Sequence, residues 1–466
     1  MRLELEPSGN SHIVAEIWLP ESNWNGKYLA QGNGVFAGYI DYDGMTGAIL
    51  RGYATSATDT GHHSAPANAD WARGHPEKVI DFGYRAIHET AETAKTIIAH
   101  YYGRRPRHSY FASCSNGGRQ GLMEAQRFPA DYDGILAGAP AHSWTQLFAA
   151  LMENVRTLNA IPGARIPNSK IPAIAAAVLQ TCDGPDGLKD GLVSDPRECR
   201  FDPAALQCRA AESDACLTST QIASLRILYS ESRTTAGERI FPGLLPGAET
   251  GRGGWEPWIT GSRSERSLQF TFATNYFRNM VYEDPAWNYR SFRLENAVQT
   301  SDRKLGPLLN ATNPDLSRFA NRGGKLILYH GWNDPVVPAL STIDYYDAVV
   351  RTMGTVHPRT FVRLYMVPGM QHCEDGPGPN IFGQSVMPRY VQADDGPGNN
   401  IFRALEEWVE HQHAPAAIVA VKYADDADSA KRVQMTRPLC PYPEKAVYKG
   451  AGNPNESGSF SCSAAR

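Results

Sequence analysis

No apolar run in this 466-residue chain approaches the length of a membrane-spanning helix. No sign of charge dominates either. Forty-five Lys and Arg stand against 49 Asp and Glu, a net charge of −4, which argues against a nucleic acid or an anionic membrane as partner. The first residues, Met1-Arg2-Leu3-Glu4-Leu5-Glu6-Pro7, carry charge where a signal peptide would carry an apolar stretch. No cysteine belongs to a CxxC pair, so the usual zinc spacing is missing. What remains is an ordinary globular composition, 42% hydrophobic and 20% charged, with room for two or three domain-sized units.

The eight cysteines nevertheless point to an oxidising compartment. Cys182 with Cys199, Cys208 with Cys216, and Cys440 with Cys462 form close pairs around Gly-, Pro- and Asp-rich loops, the pattern of a disulfide set. The expectation is a secreted or periplasmic protein whose leader lies outside this sequence; the alternative is a cytosolic protein with reduced thiols.

The stretch with most chemical content is Ser113-Cys114-Ser115-Asn116-Gly117-Gly118-Arg119-Gln120. Ser109–Ala112 before it reads as a buried strand, and Gln120–Phe128 after it as a helix. A serine between small residues at a strand-to-helix turn is the pattern of a nucleophile elbow, with Ser113 in place of the usual first glycine. By itself the motif is common by chance.

Around it, His12–Pro20, Lys27–Gln31, Tyr53–Asp59 and Tyr132–Gly138 read as strands, and Lys78–Tyr102 as a core-facing helix. The sheet resumes at Gly324–Gly331 and Thr360–Val367, with helices near Ser341–Met353 and Asn399–His411. The tail Thr436–Pro443 reads as extended and held by Cys462. Alternating strands and helices imply an α/β fold with a mostly parallel sheet covered on both faces. Residues 141–323 break this rhythm and read as one insertion, rich in aromatics such as Trp144, Trp255, Trp258, Phe270, Phe272, Tyr276, Phe277, Tyr282, Trp287 and Tyr289. These suit a core more often than a ligand wall, but an insertion beside a catalytic turn is a natural lid.

Asp334 and His372 each follow a predicted strand, where an open parallel sheet gathers its active groups. Ser115, Asp334 and His372 thus fall in the chain order of an α/β-hydrolase triad. In that chemistry His372 takes the Ser115 proton while Asp334 holds the imidazole. Cys114 adjoins the serine and Cys373 the histidine. If Ser115 and His372 touch, the two cysteines come within disulfide range, and the other six already pair locally. The rival reading makes Cys114 itself the nucleophile. The glycines of Gly32-Asn33-Gly34 just past a strand suit an oxyanion loop or a plain turn.

Asp183, Asp186 and Asp190, spaced among turn glycines, can aim oxygens at one hard cation with the carbonyls of Leu188 and Leu192, which suits calcium. It is not an EF-hand, and a solvated Asp-Gly turn is the plain alternative. A metal here is structural, because the triad needs none.

Taken together, Cys114–Gln120, Tyr329–Asp334, Pro368–Cys373, the loop from Asp183 and Arg437–Pro443 resemble the tannase and feruloyl esterase family, which also includes bacterial mono(2-hydroxyethyl) terephthalate hydrolases. The resemblance implies an α/β-hydrolase fold, with residues 1–140 and 324–466 as the catalytic domain and 141–323 as a lid domain. It implies a Ser115–Asp334–His372 triad, a Cys114–Cys373 bridge, and oxyanion donors at the N–H groups of Asn116 and Gly34. Calcium would sit on Asp183, Asp186, Leu188, Asp190 and Leu192, with no organic cofactor. The implied substrate is a small aromatic-acid ester, carried by plant cell-wall sugars or tannins. Feruloyl ester hydrolysis leads, because Pro379–Gln384 and the extension to about Asn399 resemble feruloyl esterases and tannases; galloyl and terephthalate ester hydrolysis follow. Arg278 and Arg290 are candidate substrate contacts by charge alone, and surface roles suit both better. A different class, a calcium-dependent binder of phenolics without turnover, is disfavoured by the intact triad.

Overall fold

The computed structural model describes residues 1–354, 358–385, 396–426 and 432–464. Its centre is an eight-stranded sheet of β1 (Arg2–Leu5), β2 (Ile13–Trp18), β3 (Lys27–Gln31), β4 (Ala54–Thr58), β5 (His108–Cys114) and β6 (Gly134–Gly138). After the short ribbon of β7 (Ser232–Arg233) and β8 (Arg239–Phe241), it is completed by β9 (Lys325–Gly331) and β10 (Val362–Val367). The strand order is β1-β2-β4-β3-β5-β6-β9-β10. Pairing is antiparallel from β1 to β2 and from β2 to β4, and parallel from β4 through β10. The expected strands are present within a residue or two.

Successive residues of the central strands bury to opposite faces, as a two-residue period requires. Tyr28, Ala30, Phe111, Ile135, Leu326 and Leu328 meet Ala91 and Ile98 of helix Ala86–Tyr102, Leu122 of helix Asn116–Arg127, and Ile343 and Val349 of helix Leu340–Thr352. Leu29, Tyr110, Leu136, Ile327 and Tyr365 meet Ala48 of helix Tyr42–Leu50 and Phe402, Leu405 and Trp408 of helix Ile401–His411. Both faces are covered, so the parallel strands read as continuous apolar runs.

Three helices differ from expectation. The helix after the serine begins at Asn116 rather than Gln120. Gly117 and Gly118 lower helix propensity and read as turn, but their lack of a side chain is what lets the helix start beside β6: a Cβ on Gly118 would stand 2.3 Å from the Gly138 carbonyl oxygen. The helix expected over Lys78–Tyr102 begins at Pro76 and contains a π turn at Asp81–Arg85. Helix Tyr42–Leu50, with a low share of periodic apolar positions, was not expected.

Residues 141–323 form two cores. One joins Leu158, Ile174, Val178, Leu225 and Trp255. The other joins Phe148, Leu151, Phe272, Tyr276 and Phe277 to Phe36, Trp71 and Phe82 of the sheet-bearing part and to Val336 and Val337. The chain closes with the antiparallel pairs β11 (Ile418–Tyr423) with β12 (Val433–Leu439) and β13 (Glu444–Tyr448) with β14 (Phe460–Ala464). Part of the extension expected between Pro379 and Asn399 lies outside the described residues.

Candidate active site

Ser115 leaves the end of β5 with φ 66° and ψ −123°, a conformation that L-residues other than glycine rarely hold. Its N–H donates to the Gly138 carbonyl at 2.9 Å, and its own carbonyl accepts from Arg119 and Ala141 at 3.1 and 3.2 Å. This locks the turn and projects Oγ beyond the sheet. His372 follows β10 and Asp334 follows β9, with β6 between β9 and β5, so the ends of three strands on the same edge of the sheet bring the three side chains together.

His372 Nε2 lies 2.9 Å from Ser115 Oγ, and His372 Nδ1 lies 2.7 Å from Asp334 Oδ2. Asp334 Oδ1 accepts the N–H groups of Val336 and Val337 at 2.8 and 2.9 Å. Burial would push the Asp334 carboxyl up, but His372 and His330 beside it and the hydrogen bonds they donate hold it well below the usual carboxylate range. His330 is a member that sequence reasoning missed. Its Nε2 lies 3.2 Å from Asp334 Oδ2 and 2.9 Å from the Val337 carbonyl, while Nδ1 meets Thr342 Oγ1 at 2.7 Å. It is fully buried. In the sequence it was one apolar strand's last polar residue, four before Asp334, and only that spacing hinted at the contact.

Cys114 and Cys373 are bonded, with Cα atoms 6.1 Å apart; the other bridges are Cys182–Cys199, Cys208–Cys216 and Cys440–Cys462. With its sulfur in a bridge, Cys114 has no thiol to act as a nucleophile.

Ser115 precedes the first turn of its helix, so the N–H groups of Asn116 and Gly117 point out of the helix end without an intrahelical acceptor. The N–H of Gly34 donates to the Tyr39 hydroxyl at 2.8 Å. Tyr39 also lines the cavity beside Ser115, which measures about 330 Å³. One wall of that cavity comes from the inserted segment: Trp144, Leu147, Phe148, Leu151, Trp258 and Phe272. The Trp258 ring stands edge-on to His372 with centroids 5.3 Å apart. Of the aromatics in the insertion, Tyr276 and Phe277 are core, and Trp144, Trp258 and Phe272 are cavity wall. Neither Arg278 nor Arg290 lines the cavity; Arg290 pairs with Glu265 at 3.3 Å on the surface.

In the acidic loop, Asp183 Oδ1 accepts the N–H groups of Asp190 and Gly191, both at 3.1 Å, and Asp186 Oδ1 that of Leu188 at 3.0 Å. Asp190 Oδ1 accepts the Leu192 N–H at 3.2 Å, and its second oxygen meets Arg437. Burial, with the charges of Asp186 and Asp183, pushes the Asp190 carboxyl up despite Arg437. Hard oxygens and surplus negative charge fit a hard cation. The three carboxylates are turned to backbone N–H groups, however, and among the described residues the His and acid side chains whose ligand atoms gather within 4.8 Å are His88, Glu124 and Asp131.

Similarity to known proteins covers the chain almost end to end. It matches the family "Tannase and feruloyl esterase" over residues 4–463. An uncharacterized esterase of Xanthomonas campestris is 41% identical over 98% of this chain and 82% of its own length. A "Probable feruloyl esterase B-2" of Aspergillus flavus is 34% identical over 91% of this chain and 80% of its own. The crystal structure of feruloyl esterase B from Aspergillus oryzae superposes with TM-score 0.90 at 30% identity, covering 99% of this chain and 89% of that one. With an α/β-hydrolase sheet and these relatives, the chain is an esterase and belongs to the tannase and feruloyl esterase family.

Proposed function

We propose that this protein is a secreted serine esterase that cleaves esters of phenolic acids, feruloyl esters foremost, with Ser115, His372 and Asp334 as its triad. The observation that carries the reading is the hydrogen-bonded chain from Ser115 Oγ through His372 to Asp334, opening into an aromatic-walled cavity. Ser115 Oγ attacks the ester carbonyl as His372 takes its proton. The N–H groups of Asn116 and Gly34 stabilise the oxyanion, which requires the carbonyl oxygen to displace the Tyr39 hydroxyl from Gly34. His372 then protonates the departing alcohol, and water releases the acid from the acyl-enzyme.

The aromatic wall suits a planar acyl ring. Asp41 and Glu374 also line the cavity, and no Lys or Arg does so among the described residues. Such a site disfavours an acyl group with a second carboxylate, so terephthalate monoesters rank last. The inserted segment 141–323 acts as the lid, and Asp183, Asp186 and Asp190 with the Leu188 and Leu192 carbonyls hold a structural calcium ion. Four disulfides and the feruloyl esterase relatives support export.

The test compares methyl ferulate, methyl gallate and the terephthalate monoester, with Ser115→Ala as control. The expected order is ferulate, gallate, terephthalate, with turnover falling at least about a thousandfold in Ser115→Ala. Activity on none of the three would remove the aromatic-ester reading. Bound ferulate without turnover would favour a binding protein.

A further inference from the structure

Arg119 is one of the largest fully buried side chains in the protein, and among the described residues no carboxylate lies within ion-pair distance of it. A buried guanidinium without a counter-ion is costly unless every donor is used. Here each of the three nitrogens donates, through four of the five N–H groups. Nη1 donates to the carbonyls of Gly83 at 2.8 Å and Leu309 at 3.2 Å, and Nη2 to that of Phe82 at 3.1 Å. Phe82 and Gly83 belong to the π turn Asp81–Arg85, where the widened turn leaves carbonyls free for a side-chain donor. The guanidinium also sits 5.0 Å from the Phe82 ring centroid and 5.1 Å from that of Trp144, a wall of the catalytic cavity.

The Nε–H donates to the Asn116 side-chain oxygen at 2.8 Å. That contact decides which end of the Asn116 amide is the NH2, and the NH2 donates to the Asn33 carbonyl at 3.1 Å. The Asn33–Gly34 peptide is trans, so its carbonyl and the Gly34 N–H point in opposite directions. Holding the Asn33 oxygen therefore aims the Gly34 N–H. Gln120 holds the same residue from the other side: its Nε2 donates to Asn33 Oδ1 at 2.8 Å, and the Asn33 N–H donates to its Oε1 at 3.1 Å.

We infer that Arg119 is a positioning residue for the oxyanion site, acting through the Asn116 side chain on the Asn33–Gly34 peptide. The inference rests on the catalytic reading of Ser115 and Gly34 above. Arg119 touches no substrate. It ties the helix that begins after Ser115, the glycine loop after β3 and the π turn to one rigid point, so that the Asn116 and Gly34 N–H groups keep one separation through the acyl-transfer cycle.

The test is a mutant cycle on Arg119→Lys, Asn116→Ala and the double variant, with kcat expressed per active site titrated by an organophosphonate. Asn116→Ala keeps its backbone N–H and all the carbonyl contacts of Arg119, so it isolates the link from the fold. Both single variants are expected to lose about tenfold to a hundredfold in kcat with KM changed less than about twofold. The double variant is expected to lose no more than the worse single one, because the two side chains act in series. A lower melting temperature in Arg119→Lys with unchanged kcat per titrated site would assign it a purely structural role and overturn the inference, as would wild-type kcat in Asn116→Ala. Full turnover in Ser115→Ala would instead remove the catalytic reading beneath it, so the two failures are told apart.

Discussion

Glu124 lies on the same helix as Ser115's neighbours, 1% exposed, with neither carboxylate oxygen reached by an N–H or hydroxyl donor among the described residues. Burial first, and then the nearby Asp131 carboxylate, push its carboxyl well above the usual range. Asp131 in turn meets His88, whose Nδ1 lies 2.6 Å from its Oδ2. A raised carboxyl pKa in the folded state means that the folded chain binds the proton more tightly than the unfolded one. Its contribution is greatest below the unfolded value and is lost as pH rises toward the folded one. Glu124→Gln supplies the same shape with permanent neutrality. Its melting temperature is expected to match the wild type near pH 4, below the unfolded value, and to exceed it by pH 8. A variant less stable than wild type at pH 8 would mean an ionised Glu124 paired with Lys95.

At the scale of the element, the turn around Ser115 is where sequence and structure differ most usefully. Strand and serine were legible because β5 is an apolar run ending in small residues. The helix start was not, since Gly117 and Gly118 are poor helix formers and reveal their purpose only against β6. Likewise a helical period was visible over Lys78–Tyr102, but no periodicity announces a π turn whose carbonyls serve an arginine elsewhere in the chain. His330 was hidden in the same way, because a histidine at a strand end is ordinary until Asp334 folds back on it. The elbow's tightness gives a quantitative expectation. A Cβ on Gly117 would lie 1.9 Å from Ser113 Oγ and 2.4 Å from Ser113 Cβ. Gly117→Ala is therefore expected to cost about 1–3 kcal/mol of stability by denaturant unfolding, as overpacking does. Ser113→Gly, which restores the usual small residue two positions before the nucleophile, is expected to recover much of that loss in the double variant. No recovery would place the clash with the backbone rather than with Ser113.

Across the whole molecule, long-range ties hold the three parts of the chain together. Cys114–Cys373 spans 259 residues and fastens the two halves of the sheet at the catalytic end. Arg437, on β12, reaches Asp190 in the inserted segment, and its guanidinium lies 4.0 Å from the Phe460 ring centroid. The acidic loop is thus a junction between the insertion and the C-terminal strands, closed on one side by Cys182–Cys199. A cation there would offset the burial and the like charges that raise Asp190 and would stabilise the junction without touching Ser115. Binding to the folded state alone contributes about 2–3 kcal/mol at a hundredfold excess over Kd, which for a chain of this length is a rise of about 2–3 °C in melting temperature. Chelator is expected to lower the melting temperature by that amount, calcium to restore it where magnesium does not, and kcat at 25 °C to change little. In Asp183→Asn both the chelator effect and the calcium response should vanish. If metal analysis of the purified protein finds no calcium and chelator leaves unfolding unchanged, the loop is held by its own Asp–backbone hydrogen bonds and Arg437 alone.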